Sequence, residues 1–143
     1  MAYEIQTTGV LFDDNQVAIY DSVSADVLQN GNIVVVWDNK KVGEDDELKG
    51  LILEPDMQIV KSAFQINTLT AGNQSQPYVR SLSDGNFMVT WADDQLGIRA
   101  KVFNADGSVK TDDFQVSTTP GTEVDWPAVP QILPDDGFVT IFW

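Results

Sequence analysis

Apolar and β-branched residues occur in short runs along the chain, separated by turns rich in Asn, Asp and Gly, and this pattern predicts β-strands. Three of the runs are entered through Asn-Gly or Asp-Gly and end at a tryptophan six residues after the glycine: Gly31 to Trp37, Gly85 to Trp91, and Gly137 to Trp143. Asn-Gly and Asp-Gly predict type I′ hairpin turns, in which both central residues have positive φ. Both faces of the strand that follows are largely apolar, so we expect these strands to be covered on both sides.

A second hairpin pattern repeats between the first ones. It consists of a small residue, three strand residues and a turn built on Asp or Asn, and it begins at Gly9, Gly50 and Ala100. The returning strands are predicted at Val17 to Tyr20, Phe64 to Thr68 and Phe114 to Thr118. We name the two strands of the tryptophan hairpin a and b, and the two strands of the second hairpin c and d. The strands then follow one another along the chain in the order cd-abcd-abcd-ab. No helical pattern of useful length occurs, so the predicted fold class is all-β.

A repeat of about 52 residues with four strands is typical of a β-propeller blade. Propellers have about four to eight blades, so the three blades of one chain are too few to close a ring. We therefore predict one domain over residues 1–143 that forms half of a six-bladed ring in a homodimer. The N-terminal hairpin at 3–20 of each chain would complete the blade begun by the C-terminal hairpin at 128–143 of the other chain. The alternative is a fragment of a longer repeat array.

Composition excludes much chemistry. The chain has no cysteine and no histidine, which excludes disulfides, thiolate nucleophiles, Ser-His-Asp triads and ordinary zinc sites. Its formal net charge of −14 would repel a phosphate backbone, so we expect no nucleic-acid partner. No apolar run is long enough to cross a membrane and no secretory signal stands at the N-terminus, so we expect neither membrane insertion nor a signal peptide in this chain.

The second unit carries a family resemblance. Its segments Phe64-Gln65-Ile66-Asn67-Thr68, Pro77-Tyr78-Val79 and Asp84 to Trp91 resemble a tandem repeat of very large secreted bacterial proteins of the hemolysin-type calcium-binding (RTX-like) and adhesin kind. The resemblance implies a secreted or cell-surface bacterial setting. The glycine-rich nonapeptide that binds calcium in such proteins is absent here, so the resemblance does not imply calcium dependence. Propeller lectins built from short chains are an architectural analogy only.

Four residues are candidates for contacts with a ligand. Trp37, Trp91 and Trp143 each end a buried strand face and are interpreted as core between blades. Trp126 instead falls in a d-to-a loop, where it could be a stacking platform or could pack the loop. The other candidates lie on strands and could hydrogen-bond a sugar or a carboxylate, or could pair with acidic residues: Tyr78, Arg80 and Arg99.

Acidic residues in the b-to-c loops suggest a cation site. Oxygen ligands cluster after two of the tryptophans, where calcium could bind: Asp38, Asn39, Asp93 and Asp94. The EF-hand spacing is missing, and acidic loops on a protein of this charge are usually solvated. The adjacent acidic pairs also lack an arrangement that predicts a glycosidase, because glycosidases need two carboxyl groups about 5–9.5 Å apart across a bond.

These observations predict a non-catalytic extracellular module for binding or assembly, with carbohydrate as the expected ligand and a second copy of the chain as the expected partner. The alternatives are a structural spacer or a calcium-binding repeat within a bacterial surface protein. A glycosidase is the least supported of the three.

Overall fold

The structure, a computed structural model, describes residues 22–40, 43–117, 129–135 and 137–140. These residues form ten β-strands, all paired antiparallel, and the predicted all-β class is confirmed. No helix among them is long and apolar enough to cross a membrane. The predicted N-terminal hairpin at 3–20 lies outside the described residues, as do Trp126 and Trp143.

Two four-stranded sheets contain most of the chain, and in each the spatial order of the strands is their order in the sequence. Sheet 1 consists of β1 (Val23–Val27), β2 (Ile33–Asn39), β3 (Glu47–Leu53) and β4 (Ile59–Gln65). Sheet 2 consists of β5 (Gln74–Ser81), β6 (Phe87–Asp93), β7 (Gly97–Phe103) and β8 (Val109–Gln115). A hairpin of β9 (Gln131–Ile132) and β10 (Phe138–Val139) follows. The predicted a-b-c-d order is therefore present twice, and the third unit is described as one short hairpin.

The fourth strand of each sheet begins earlier than the sequence pattern predicts. β4 starts at Ile59 and β8 at Val109, whereas the predictions began at Phe64 and Phe114. The pairing of each fourth strand with the third is interrupted at equivalent places, around Ile52 and Val102 respectively. These β-bulges break the strict alternation along the fourth strands, and the hydrophobic pattern used for the prediction depends on that alternation.

The turns at Asn-Gly and Asp-Gly are not of the predicted type I′. The Gly31 N–H donates to the Leu28 carbonyl at 2.9 Å, and the Leu28 N–H donates to Asn32 at 2.8 Å, which defines a three-residue loop. Gly31 has φ 88°, but the positive-φ non-glycine residues that the structure describes are Met57 and Gln76 only. The Asn30 side chain instead accepts the N–H of Asn32 at 3.0 Å. A three-residue loop with positive φ at its glycine alone is a type I turn closed by a glycine bulge. The Asn30 side chain stabilises this loop as an Asx turn, which does not need positive φ at Asn30.

The third unit is displaced by one residue from the glycine spacing used above. Phe138 pairs with Ile132 in the way that Phe87 pairs with Ser81, so Phe138 takes the place of Phe87. Gly137 therefore takes the place of Asn86, not of Gly85, so the predicted equivalence of the third glycine is wrong, while Trp143 lies outside the described residues. The turn keeps its length, since the Leu133 N–H donates to the Gly137 carbonyl at 2.7 Å as the Leu82 N–H donates to the Asn86 carbonyl at 2.8 Å, and the glycine stands one position later.

The sheets pack face to face. We call the face of a sheet that is turned toward the next unit along the chain its forward face, and the opposite one its backward face. Residues of the forward face of sheet 1 and of the backward face of sheet 2 form one buried cluster, which includes Val34, Val36, Leu48, Ile52, Phe87, Val89, Trp91 and Phe103. The forward face of sheet 2 packs against the hairpin through a second cluster that includes Met88, Ala100, Phe114, Ile132 and Phe138. As predicted, the second strand of each sheet is buried on both faces.

Candidate functional site

Two hydrogen bonds from side chains of β1 hold the first strand of sheet 2 against sheet 1. Ser24 Oγ accepts the backbone N–H of Val79 at 3.2 Å, and Asp26 Oδ2 accepts the backbone N–H of Ser81 at 2.8 Å. Ser24 and Asp26 alternate on the forward face of β1. Two acceptor side chains on β1, two residues apart, thus fix the junction between sheets 1 and 2.

The same two positions in sheet 2 carry different chemistry. Tyr78 takes the place of Ser24 and Arg80 that of Asp26, since their partners on β6 match those on β2. Both side chains lie on the forward face of sheet 2 and are half-buried. A guanidinium has no acceptor atom, so Arg80 cannot hold the next strand as Asp26 does. Its Nη1 donates to the Val79 carbonyl at 3.0 Å.

The strand that faces Tyr78 is changed as well. β9 pairs with β10 through Gln131 and Ile132 in the register that Arg80 and Ser81 use, so the preceding residue, Pro130, takes the place of Val79. Pro130 is buried and has no N–H to donate. At the first junction the Val79 N–H donates to Ser24, but Pro130 offers no such N–H to a side chain at the position of Tyr78. The junction between sheet 2 and the hairpin therefore lacks this hydrogen bond.

Further polar groups lie beside Tyr78. Thr90 is opposite Tyr78 on β6 and fully buried, and its hydroxyl has no hydrogen-bond partner among the described residues. Gln76 has φ 55° at the irregularity in β5, and its buried Oε1 also lacks such a partner. Left-handed backbone at a non-glycine residue is strained, and strain of this kind is concentrated at functional sites. We call four residues together the forward site: Gln76, Tyr78, Arg80 and Thr90.

Arg99, another candidate, is not part of the forward site. It pairs with Trp91 and so points to the backward face of sheet 2, opposite to Tyr78 and Arg80. Its side chain is almost completely buried, and its Nε has no hydrogen-bond partner in the described part of the chain. The candidate ligand residues are therefore divided between two faces of one sheet, and Trp126 lies outside the described residues.

Three of the four candidates for a cation site, Asp38, Asp93 and Asp94, accept hydrogen bonds from other groups of the protein. Both carboxylate oxygens of buried Asp38 accept from Ser22, from its N–H at 3.0 Å and its hydroxyl at 3.1 Å. Asp93 Oδ1 accepts the N–H groups of two loop residues, Gln95 and Leu96, both at 2.9 Å.

Asp94 Oδ2 accepts from the Asn73 amide at 3.0 Å, and Asn39 ends β2 opposite Glu47. Within residues 22–40, 43–117, 129–135 and 137–140, no three acidic side chains come together in a group that could hold a metal ion.

An ion-pair network around Lys101, which the sequence pattern did not indicate, joins the end of β4 in sheet 1 to β7 and β8 in sheet 2. The ammonium of buried Lys101 lies 3.2 Å from Asp112 and 3.6 Å from Asp113, and it donates to the Thr68 hydroxyl at 2.6 Å. Thr68 follows β4, so the network links sheet 1 to β7 and β8. Lys101 stands in an apolar run, and its partners are far from it in the sequence, so the pattern gave no signal for this role.

The Asp112 carboxylate in this network makes the stability of the protein sensitive to acid. The hydrogen bond from Thr68, then the Asp113 N–H and the Lys101 ammonium, lower the pKa of Asp112 from 3.8 to about 2. The unfolded chain therefore takes up this proton before the folded one does. The stabilisation is fully present above about pH 4 and is lost as the pH falls toward about 2.

We accordingly expect Asp112→Asn to flatten the loss of stability between about pH 4 and pH 2, because the titrating carboxylate is removed. The effect will be modest, since the Asp112 side chain is 68% exposed. Urea midpoints of the variant and of the parent chain, measured at intervals across that range, check this. Urea midpoints that fall equally steeply in the two proteins between about pH 4 and pH 2 would contradict this expectation.

The comparisons with known proteins give no match: no family model, no curated protein and no solved structure is similar to this chain at a significant level. The arguments that follow therefore depend on the geometry of the chain itself.

Proposed function

We propose that the chain is a non-catalytic, carbohydrate-binding module of β-propeller architecture, with the two sheets as successive blades. The packing supports this proposal. β5 lies against β1, β2 and β3, so the first strands of the two sheets are close together. The fourth strands, β4 and β8, are mostly exposed, whereas the second and third strands of both sheets are mostly buried. First strands that converge and fourth strands that face solvent are what sheets arranged around a central axis require.

The observation that carries the binding proposal is the change from Ser24 and Asp26 to Tyr78 and Arg80 at equivalent positions. At the first junction these positions serve the packing of one sheet on another. At the second junction the side chains at these positions do not accept backbone N–H groups of the next strand in this way. They are an aromatic ring and a guanidinium, and they lie beside the Thr90 hydroxyl, which has no hydrogen-bond partner among the described residues. A ring that can stack on the apolar face of a sugar, with fixed donors around it, is suited to recognise a pyranoside.

The extracellular setting is part of this proposal and is supported by the resemblance of the repeat to those of large secreted bacterial proteins. A module of this kind binds weakly at each site, and repetition of the site along a long chain or around a ring makes the binding effective. The acidic surface, with a net charge of −14, is compatible with neutral glycans and unfavourable for polyanionic ones.

A glycan array tests the proposal. We expect a defined set of glycans to bind the chain, and Tyr78→Ala and Arg80→Ala to weaken that binding by about 10-fold or more, the loss expected when a charged hydrogen bond or a stacking contact is removed. Lys110→Ala is the matched control, because it removes one positive charge from an exposed position on β8.

Equal binding by the parent chain and both site variants would place the ligand elsewhere, and Trp126→Ala would then test the loop candidate. No binding across the array would contradict the carbohydrate proposal and favour a purely structural spacer. Circular dichroism of each variant shows whether lost binding has the trivial cause of lost folding.

A further inference from the structure

The backward face of β1 is apolar and uncovered. Val23 is 66% exposed and Val27 58% exposed, and Ala25 between them is exposed as well. All three lie on the same face of sheet 1 as Trp37 and its neighbours on β2. At the equivalent place in sheet 2, Val79 is completely buried because β1 covers it. The first strand of sheet 1 therefore presents the surface that sheet 2 buries.

A complementary surface is open at the other end of the chain. Gln131 and Val139 pair with each other and lie on the forward face of the hairpin, opposite to Ile132 and Phe138, which pack on sheet 2. Val139 is 50% exposed. The residues at its position in the two sheets, Val34 and Met88, are 0% and 2% exposed because the next unit covers each of them.

We propose that these two open faces bind each other between two copies of the chain, so that the forward face of one hairpin covers β1 of the other copy. Both junctions inside the chain join a forward face to a backward face. The forward face of the hairpin and the part of the backward face of sheet 1 that β1 forms are exposed, whereas Trp37 on the same face is buried. The occupant is a second copy because this chain already carries the matching surface. A head-to-tail contact of this kind either closes a ring or propagates. Two chains of three units each close at six, within the range of propellers.

This inference rests on the proposed propeller architecture and identifies the residues at its closing junction. At the junction between sheets 1 and 2, Asp26 of one sheet contacts the backbone of Ser81 in the next at 2.8 Å. Gln131 takes the place of Asp26 in the hairpin, and Val27 takes the place of Ser81 in sheet 1. Val27 of one copy and Gln131 of the other are therefore predicted to be neighbours.

Charged substitutions test the two faces separately. We expect Val27→Lys and Val139→Lys each to convert the dimer into a 15.8 kDa monomer, because each places an ammonium in an apolar contact. Val109→Lys is the matched control: Val109 is an aliphatic residue, 52% exposed on β8 of sheet 2, outside both faces, and this variant is expected to stay dimeric. Dissociation of only one of the two variants, or of the control, would overturn the proposal.

Cross-linking tests the predicted neighbours without destabilising charges. The chain has no cysteine, so single Val27→Cys and Gln131→Cys chains each carry one reactive thiol. Mixed and treated with the shortest bismaleimide, they are expected to give a covalent heterodimer, whereas Val109→Cys mixed with Gln131→Cys is expected to give little. Equal yields in the two mixtures would overturn the proposal. So would a parent chain that stays monomeric or that forms filaments growing with concentration.

The failure of this proposal is distinguishable from that of glycan binding. The forward site lies at a junction within one chain, so a chain with a silent glycan array can still be a dimer. Conversely, a monomeric chain whose glycan binding is lost in Arg80→Ala would contradict ring closure and leave the binding site supported.

Discussion

Replacing Phe87 with alanine is expected to lower the free energy of unfolding by about 3–5 kcal/mol, the usual cost of removing a buried phenylalanine ring. Phe87 is completely buried on the backward face of sheet 2, and its ring stacks on that of Phe103 with 5.2 Å between centroids. Phe103 in turn meets the edge of Phe64 from sheet 1 at 5.7 Å. The three rings connect the two sheets, so the substitution leaves a cavity that neither sheet can close alone.

Chemical denaturation of the two proteins, followed by tryptophan fluorescence, measures this effect. Val109→Ala is the control, since Val109 also lies in sheet 2 but is 52% exposed, and we expect it to change stability by less than about 0.5 kcal/mol. Comparable losses in the two variants would mean that the face-to-face contact is not the source of stability, against the packing described here.

Lys101→Met is expected to cost about 3 kcal/mol, although methionine fills nearly the same space as the lysine stem. The reason is the partner that remains. Asp113 has a side chain only 4% exposed and lies 3.6 Å from the ammonium of Lys101. Its other oxygen accepts the Thr68 N–H at 2.8 Å, so the carboxylate stays in place when its counter-charge is removed. An uncompensated charge in a buried position is among the most destabilising changes a substitution can make.

The matched control makes the same change at an exposed ion pair of the same sheet. Lys110 is paired with Asp84, and both side chains are more than a third exposed, so we expect Lys110→Met to cost between about 0 and 1 kcal/mol. Thermal and urea denaturation at pH 7 of both variants measure the difference. Equal destabilisation would show that burial does not determine the strength of the Lys101 network.

The strands and their order could be predicted from the sequence because both depend on local pattern. Alternation and buried apolar runs mark the strands of the two sheets, Asn-Gly or Asp-Gly marks the first hairpin of each sheet, and the repeat fixes the order a-b-c-d. The turn type could not be predicted in the same way. A type I′ turn and a type I turn with a glycine bulge share the Asn-Gly signal, and the backbone hydrogen bonds around Leu28, together with positive φ at Gly31 but not at Asn30, distinguish them here.

The displacement in the third unit shows the limit of alignment by spacing. Gly137 is six residues before Trp143, as Gly85 is before Trp91, so the spacing indicated equivalent positions. The hairpin register aligns Phe138 with Phe87 instead, because the aromatic side chain at this place packs on the previous sheet. Packing of an aromatic residue determines the register, and within a turn of the same length the glycine stands one position later in the third unit.

The candidate site was only partly predictable. Aromatic and arginine side chains on strands suggested ligand contacts, and the structure places Tyr78 and Arg80 together, but Arg99 points to the other face of the same sheet. The meaning of Tyr78 and Arg80 depends on what Ser24 and Asp26 do at the first junction. Those bonds join residues 55 positions apart, and no local pattern could have indicated them.

The proposed half-ring formed by one chain needs a second copy of the chain to close it. The absolute mass of the unmodified chain in solution, measured by light scattering over a range of concentrations, tests it most directly. We expect a single species with twice the 15.8 kDa mass of the chain. Its mass should not change on dilution as long as the concentration stays well above the dissociation constant of the dimer. A stable species of 15.8 kDa at all concentrations would contradict it.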